Sequence, residues 1–202
     1  EKGISKEFNM ASTKDYKKGR IDFLDRVLTH NDSNHLLYHL KEYVQSHKPR
    51  VGFYAGTFNP FHNGHLDIVN QAKKMFDKVV ILTGQNPLKP KITEEDFEKR
   101  KLSIFKKTTC EIVFVDGLLV DYLKAREEEG HEEVFLIKGF RDSKDIAYEQ
   151  TNDRFSTEFF TELKSVYIPS KPELAHVSSS AIKALGAISE EKANKYLPTD
   201  LF

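Results

Sequence analysis

The sequence predicts an α/β fold in which a doubly wound, five-stranded parallel sheet follows an N-terminal helical extension. From residue 51 onward, short apolar segments alternate with segments of helical periodicity. This alternation is typical of a parallel sheet that helices cover on both faces through right-handed crossovers. The turns after these segments also carry glycine, histidine, lysine, arginine or serine, which suits ligand binding at the carboxyl ends of the strands.

The predicted elements follow one another in regular order. Strands are predicted at residues 51–55, 79–83, 111–115, 134–137 and 165–168. Helices are predicted at residues 65–76, 94–107, 118–128 and 146–160. Because their lengths and alternation suit a single layered core, we expect one domain over residues 50–202.

Residues 1–49 are expected to form a helical extension. Apolar residues recur at helical spacing ahead of Pro49, which predicts a helical hairpin with one apolar face. The sequence begins with glutamate and Met10 is a candidate start, so residues 1–10 are expected to be disordered or foreign to the natural chain. His35 and His39 have the spacing of a metal pair, but no evident third ligand accompanies them, and solvated histidines are the preferred interpretation.

Charge and cysteine content narrow the function classes. The chain carries 31 basic and 31 acidic side chains, so no overall charge points to a nucleic acid or a membrane surface. No apolar run approaches the roughly 18 residues of a membrane span. The single cysteine, Cys110, lies in an apolar segment and excludes an internal disulfide, which suits a reducing compartment. We therefore expect a cytoplasmic protein.

Residues 56–65, with the sequence GTFNPFHNGH, join the first predicted strand to its helix. Gly56 and Gly64 remove Cβ atoms from the path of a ligand, and the helix N-terminus offers unpaired donors to an anion. His62 and His65 lie three residues apart, so they can face one anion together if the helix begins near residue 63. The segment therefore predicts a phosphate site.

Other strand ends carry groups that suit phosphate as well. They are Lys89 after the second strand, Lys138, Gly139 and Arg141 after the fourth, and Ser178, Ser179 and Ser180 after the fifth. Each has an ordinary explanation, since lysine loops are usually solvated and serines at a helix start are usually caps. Their recurrence in a chain of zero net charge nevertheless favours a polyphosphate site. Leu118 and Leu119, after the third strand, either line an apolar pocket or begin a core helix.

These segments resemble the nucleotidyltransferase superfamily with the H-x-G-H signature, and within it the phosphopantetheine adenylyltransferase family. The resemblance covers about residues 50–198. It includes the segment at 56–65, the K-G-F-R turn at 138–141, Tyr148-Glu149 and the V-S-S-S-A-I-K segment at 177–183. H-x-G-H alone identifies only the superfamily, whereas the later segments narrow it. The resemblance implies a Rossmann-like nucleotidyltransferase fold.

The resemblance also implies an activity and its residues. The family joins the adenylyl group of ATP to 4′-phosphopantetheine, giving dephospho-coenzyme A and pyrophosphate. Implied catalytic residues are His65, Lys89 and Arg141. Implied ATP-binding residues are Gly56, Thr57, Phe58, His65, Lys138, Gly139, Arg141, Glu149, Ser178, Ser179 and Ser180. Implied acceptor-binding residues are Thr57, Lys89, Leu118, Leu119 and Lys138.

The implied reaction needs no general base, because a phosphate acceptor is already ionised at neutral pH. Positioning two anions in line and neutralising the developing charge then suffices. Mg²⁺ is expected to bind mainly through ATP oxygens, and no protein metal site is predicted. The resemblance further implies a homo-oligomer, a hexamer in the family, and no nucleic-acid or membrane partner is expected.

Three alternatives stay open at the level of sequence. The family usually has arginine at Lys138, and Asn59 to His62 resemble the nicotinamide mononucleotide adenylyltransferases. Those enzymes typically carry tryptophan in their recognition segment, whereas this chain has no tryptophan. A glycerol-phosphate cytidylyltransferase would normally show an R-T-E-G-I-S-T type segment. A non-catalytic nucleotide-binding regulator would be expected to lose His65 or Lys89. Phosphopantetheine transfer is the preferred interpretation.

Overall fold

The computed structural model describes Tyr38, residues 48–84 and residues 92–201. Except for Tyr38, which is helical, the predicted N-terminal hairpin with His35 and His39 lies outside the described residues. The loop that carries Lys89 also lies outside them. Across the part of the chain that the structure describes, no helix is both long and apolar enough to cross a lipid bilayer.

The described residues contain a five-stranded parallel sheet with the strand order β3-β2-β1-β4-β5. The strands are β1 (Arg50–Gly56), β2 (Lys78–Gly84), β3 (Glu111–Val115), β4 (Glu133–Phe140) and β5 (Lys164–Pro169). The helices are α1 (Asn63–Ala72), α2 (Glu94–Thr108), α3 (Leu119–Glu128), α4 (Ser143–Phe159), α5 (Ser179–Gly186) and α6 (Glu190–Asn194). A 3₁₀ turn, Pro172–Leu174, precedes α5. The predicted doubly wound sheet is confirmed.

Two helices differ from their predicted bounds by three residues or more at one end. The first was predicted to reach residue 76, but α1 ends at Ala72 and the chain continues through turns, in which the N–H of Met75 bonds to the oxygen of Ala72. The Phe76 ring then packs against Phe135, with ring centroids 5.3 Å apart. Phe76 is thus part of the core although it does not lie in a helix. Helix α4 begins at Ser143, ahead of the predicted residue 146, because the Asp142 carboxylate caps its first turn.

Helices cover both faces of the sheet. Successive side chains of a strand point in opposite directions, so each strand contributes to two buried layers. One face packs against α1 and α2; its buried residues include Tyr54, Ile81 and Ile137 from the strands and Val69 and Ile104 from the helices. The other face packs against α3 and the end of α4; its buried residues include Phe53, Leu82, Leu136 and Leu123. This division of the helices is the one that right-handed crossovers require.

The strand order places a topological switch point between β1 and β4. Strand β1 continues through α1 to β2 on one side, whereas β4 continues through α4 to β5 on the other. The loops after β1 and β4 therefore diverge and leave a crevice at the carboxyl ends of the two strands. This crevice is where a ligand is expected, and residues 56–65 and 138–141 lie on its two sides. The K-G-F-R turn predicted at 138–141 is mostly strand, because β4 extends to Phe140, three residues beyond its predicted end.

We predict that Ile81→Ala lowers the free energy of unfolding by about 2–5 kcal/mol, because the truncation leaves a cavity in a fully buried layer. The matched control is Leu102→Ala on α2, whose side chain is 56% exposed; its effect should stay below about 1 kcal/mol. Urea unfolding measures both. Equal midpoints for the two variants would contradict the assignment of Ile81 to the core.

Candidate active site

His62 and His65 cap helix α1 reciprocally. The main-chain N–H of His65 donates to His62 Nδ1, and the main-chain N–H of His62 donates to His65 Nδ1, each over 3.3 Å. The two imidazole rings stack with centroids 3.6 Å apart. This is a capping box in which both side chains are histidines, and it fixes the orientation of both rings at the entrance to the crevice.

The capping box also fixes the protonation of the two histidines. An Nδ1 that accepts a hydrogen bond carries no proton, so each neutral ring holds its proton on Nε2. Burial lowers the pKa of His62 to about 4, and Arg141 adds to that shift. Burial, followed by the charges of His62 and Arg141, lowers the pKa of His65 well below its usual value. At neutral pH His65 therefore offers a neutral Nε2–H donor.

The N-terminus of α1 has fewer unpaired donors than the sequence suggested. The Asn63 N–H donates to the main-chain oxygen of Tyr196 over 2.9 Å, and the His65 N–H is taken by the capping box. Gly64 keeps a main-chain N–H without a partner among the described residues. An added Cβ at Gly64 would lie 3.1 Å from the His62 ring, so this glycine makes room for the cap.

A cavity of about 330 Å³ lies over this helix end, within the size range of small-molecule sites. Its walls come from the ends of β1, β4 and β5 and from the starts of α1, α4 and α5. The predicted site residues among its lining are His65, Gly139, Arg141, Glu149, Ser178 and Ser179. The structure thus brings together residues that lie more than a hundred positions apart in the chain.

Arg141 supplies a fixed cation to this cavity. Its guanidinium makes two parallel hydrogen bonds to the Asp145 carboxylate, with Nε–Oδ2 at 2.7 Å and Nη2–Oδ1 at 3.0 Å. This hydrogen-bonded pair raises the pKa of Arg141 and lowers that of Asp145. The side chain stays 39% exposed, so its remaining N–H groups can meet an anionic ligand.

Lys138 faces away from His65. Its neighbour Gly139 lies against Ile68 of α1, and strand alternation turns Lys138 towards α4. There its Nζ lies 3.1 Å from the main-chain oxygen of Glu149 and 3.3 Å from Asp153 Oδ1. Lys138 does not line the cavity, although Glu149 does. Its binding role stays a prediction.

The turn after β1 is built around Phe58. This side chain is 3% exposed, and its ring packs against Tyr54 and His65. An added Cβ at Gly56 would lie 2.8 Å from the Phe58 ring, so Gly56 makes room for a protein side chain. Arg100 of α2 donates to the main-chain oxygen of Thr57 over 2.9 Å. The cavity lining includes none of the residues Gly56, Thr57 and Phe58, and their binding roles stay predictions.

The serine cluster divides into separate roles. Ser178 caps α5 by accepting from the Ala181 N–H, and the Ser179 hydroxyl donates to the main-chain oxygen of Pro60 over 2.9 Å. Ser179 thereby ties α5 to the turn after β1. Ser180 is exposed and lies outside the lining of the cavity.

Leu118 and Leu119 also lie outside that lining, and Leu118 is 61% exposed. Leu118 is the N-cap residue of α3, and Leu119 packs against the core on that face. Of the two possibilities left by the sequence, the structure supports a helix start for both. Contact with a pantetheine arm stays a prediction.

The lining residues that were not predicted from the sequence include Asp145, Tyr54 and Ser170. Asp145 holds Arg141, and its spacing of four residues from Arg141 was the available signal. Tyr54 is a strand residue, and burial raises the pKa of its phenol well above the usual value. Ser170 has a buried hydroxyl without a hydrogen-bond partner among the described residues. A serine next to a proline carries no sequence signal for such a position.

Comparison with known proteins identifies relatives of this chain. Residues 53–185 match the cytidylyltransferase-like family. A phosphopantetheine adenylyltransferase from Cytophaga hutchinsonii is 35% identical over 136 residues, which span 66% of this chain and 87% of the relative. A phosphopantetheine adenylyltransferase from Haemophilus ducreyi is 36% identical over 149 residues, which span 72% of this chain and 88% of the relative.

Solved structures share the fold at low sequence identity. A Plasmodium falciparum nicotinic acid mononucleotide adenylyltransferase, complexed with NaAD, is 13% identical with a TM-score of 0.53, covering 75% of this chain and 91% of its own. A bifunctional NMN adenylyltransferase/ADP ribose pyrophosphatase from Francisella tularensis is 19% identical with a TM-score of 0.53, covering 74% of this chain and 45% of its own. At these identities the likeness concerns the fold alone.

We predict that the free energy of unfolding falls as the pH drops from about 6.5 to 5, by up to about 1.4 kcal/mol per pH unit for each of the two buried imidazoles. The unfolded chain binds these protons near pH 6.5 while the native rings stay neutral, so acid favours unfolding. His62→Thr keeps a capping oxygen but removes one titrating group. The free energy of unfolding of this variant should therefore fall less steeply with pH than that of the wild type. Urea unfolding at several pH values measures both slopes. Identical slopes would contradict a neutral, buried His62.

Proposed function

We propose that this chain, which belongs to the cytidylyltransferase-like family and within it to the phosphopantetheine adenylyltransferases, transfers the adenylyl group of ATP to 4′-phosphopantetheine. The products are dephospho-coenzyme A and pyrophosphate, so the chain acts in coenzyme A synthesis. The observation that carries the site assignment is the His65 Nε2–H donor beside Arg141 in one cavity, where the helix starts of α1 and α5 meet.

The acceptor phosphate attacks the α-phosphorus of ATP in line with the departing pyrophosphate. The bond between the α-phosphorus and the oxygen that joins it to the β-phosphorus of ATP breaks as the new phosphorus–oxygen bond forms, and that oxygen leaves with pyrophosphate. His65 donates its Nε2–H to a non-bridging oxygen of the α-phosphate, whose charge grows in the transition state. Arg141 neutralises the phosphates that leave, and Lys89 and Thr57 hold the acceptor phosphate. No proton has to be removed from the nucleophile.

The nucleotide spans the crevice between the two helix starts. The Ser179 N–H at the first turn of α5 and the Gly64 N–H of α1 are suited to phosphate oxygens. Glu149, which lines the same cavity, carries only acceptor oxygens and therefore suits hydroxyl or amine donors of the nucleoside. An acidic side chain in a polyphosphate site is otherwise unfavourable, so this role gives Glu149 a favourable partner.

Mg²⁺ enters the reaction as the ATP complex. No group of three His, Cys, Asp or Glu side chains within the described ranges is placed to hold a metal ion. We propose that the cation is bound mainly by ATP oxygens and water, as is usual for Mg²⁺ with nucleotides. The cation would neutralise phosphate charge that Arg141 does not reach.

A homo-oligomer in the cytoplasm belongs to the same proposal. Phe155 and Phe159 of α4 are 61% and 60% exposed, and side chains of this size are commonly covered at subunit interfaces. Cys110 is buried and unpaired, which fits a reducing compartment. We expect ATP and 4′-phosphopantetheine to be the ligands, without a nucleic-acid or membrane partner.

We predict that the purified protein with MgATP releases pyrophosphate when 4′-phosphopantetheine is the acceptor, and that nicotinamide mononucleotide does not replace it. A coupled pyrophosphate assay with each acceptor in turn measures this difference. Controls without acceptor and without Mg²⁺ define the background. Release only with the mononucleotide would overturn the assignment of the acceptor.

We predict that His65→Ala lowers kcat by roughly 10²-fold or more, because the preorganised donor to the α-phosphate is lost. His65→Gln places an amide N–H near the position of Nε2 and should retain more activity than alanine. Steady-state kinetics, together with urea unfolding to exclude loss of structure, compare the two variants. Wild-type rates in His65→Ala would remove His65 from the mechanism.

A further inference from the structure

Lys138 is held by oxygen atoms on three sides. Its side chain is 6% exposed at the carboxyl end of β4. Nζ lies 3.1 Å from the main-chain oxygen of Glu149, 3.4 Å from Glu149 Oε2 and 3.3 Å from Asp153 Oδ1. An ammonium group has three N–H donors; the main-chain oxygen of Glu149 accepts one of them, and the two carboxylate oxygens lie within ion-pair distance. To contact a phosphate, Lys138 has to exchange one of the three.

Asp153 is the best anchored of these partners. Ser165 donates its hydroxyl to Asp153 Oδ1 over 2.6 Å, and Tyr167 donates its hydroxyl to Oδ2 over 3.0 Å. Burial and the hydrogen bond to Asp153 raise the pKa of Tyr167 to about 12, so the phenol stays protonated and keeps donating. Both donors belong to β5, which pairs Lys138 with Tyr167 in register. Asp153 thus has one orientation, fixed by the sheet.

Glu149 is the partner that can be exchanged. Its carboxylate makes the longest of the three contacts with Lys138, and its side chain is 29% exposed against 21% for Asp153. Glu149 also lines the cavity, whereas Asp153 does not. When a nucleotide recruits the Glu149 carboxylate, one N–H of Lys138 becomes available while two contacts remain.

Lysine benefits from such a fixed partner. Its ammonium is a point charge on a flexible four-carbon stem and does not orient itself on a phosphate as the planar fork of arginine does. A remaining contact to a carboxylate that the sheet holds in place restricts the lysine to the positions near β4. The ammonium can then direct its third N–H towards the crevice with a smaller loss of side-chain conformational entropy.

We propose that Asp153 is a positioning residue, which holds Lys138 in the orientation from which its ammonium reaches a substrate phosphate. Asp153 contacts no substrate itself and acts through Lys138. The inference rests on the proposed function, because Lys138 meets a phosphate only if the crevice takes a nucleotide and an anionic acceptor. It gives a role to Asp153, Ser165 and Tyr167, which the reaction does not otherwise use.

The test is Asp153→Asn, which keeps the size of the side chain and removes its charge. We expect kcat/KM for 4′-phosphopantetheine to fall about tenfold, within the range of couplings between contacting residues. Simple charge repulsion predicts the opposite sign, because removal of a carboxylate favours anionic substrates. Unchanged or increased kcat/KM would overturn the proposal.

A second background separates positioning from a general structural role. In a Lys138→Arg background, Asp153→Asn should lower kcat/KM for 4′-phosphopantetheine by less than about threefold, because the planar guanidinium orients itself on phosphate. An equal loss in both backgrounds would overturn the proposal. Glu158→Gln on the same helix is the matched control, since Glu158 is exposed and has no ion pair among the described residues. It should leave kcat/KM unchanged.

Further measurements keep the test decisive if Asp153→Asn fails to fold. Tyr167→Phe removes one anchor of Asp153 and should lower kcat/KM about threefold with little loss of stability in urea.

Calorimetric titration with MgATP is run on the same variants. If the wild type binds MgATP but does not transfer to phosphopantetheine, the proposed function fails, and weaker MgATP binding by Asp153→Asn still supports the inference. If the wild type does not bind MgATP, both are overturned.

Discussion

The reciprocal hydrogen bonds between His62 and His65 are the constraint on which the site depends. They begin α1 directly after the turn from β1, and they occupy Nδ1 of both rings. Each ring therefore has one remaining nitrogen, Nε2, and one tautomer. Phe58 and Phe61 pack around His65 and exclude water from that side of the ring. The helix start, the ring orientation and the proton position are thus set by one pair of contacts.

The alternation of side chains along β4 distributes the basic residues around this centre. Gly139 faces α1, where an added Cβ would lie 3.0 Å from Ile68, while Lys138 faces α4. Arg141 lies beyond the strand end, where Asp145 holds it at the cavity. Consecutive positions of one short segment therefore serve two sides of the crevice. Of these two cations, Arg141 lines the cavity at the switch point, whereas Lys138 lies outside its lining.

The sequence could predict the sheet, its helices and the convergence of strand ends, because apolar periodicity and strand order rules are local or general. It could also predict that His65 and Arg141 meet in one cavity, because each lies in a segment that follows a strand of the sheet. It could not predict that Lys138 is enclosed by carboxylates, since that depends on the register of β4 against β5 and on the phase of α4. Nor could it predict that Gly56 accommodates Phe58, which requires the path of the turn. Contacts between elements decide such details.

A neutral histidine among cations suits the chemistry better than another positive charge. In the proposed reaction, fixed cations such as Arg141 attract the triphosphate before and during the reaction, so much of their effect is uniform binding. A neutral donor held by its own helix cap interacts weakly with a dispersed ground-state charge and more strongly as charge accumulates on one oxygen. Burial and the stacked partner ring keep His65 neutral over the physiological range. In the proposed mechanism, the packing that lowers the basicity of His65 also directs its hydrogen bond towards the transition state.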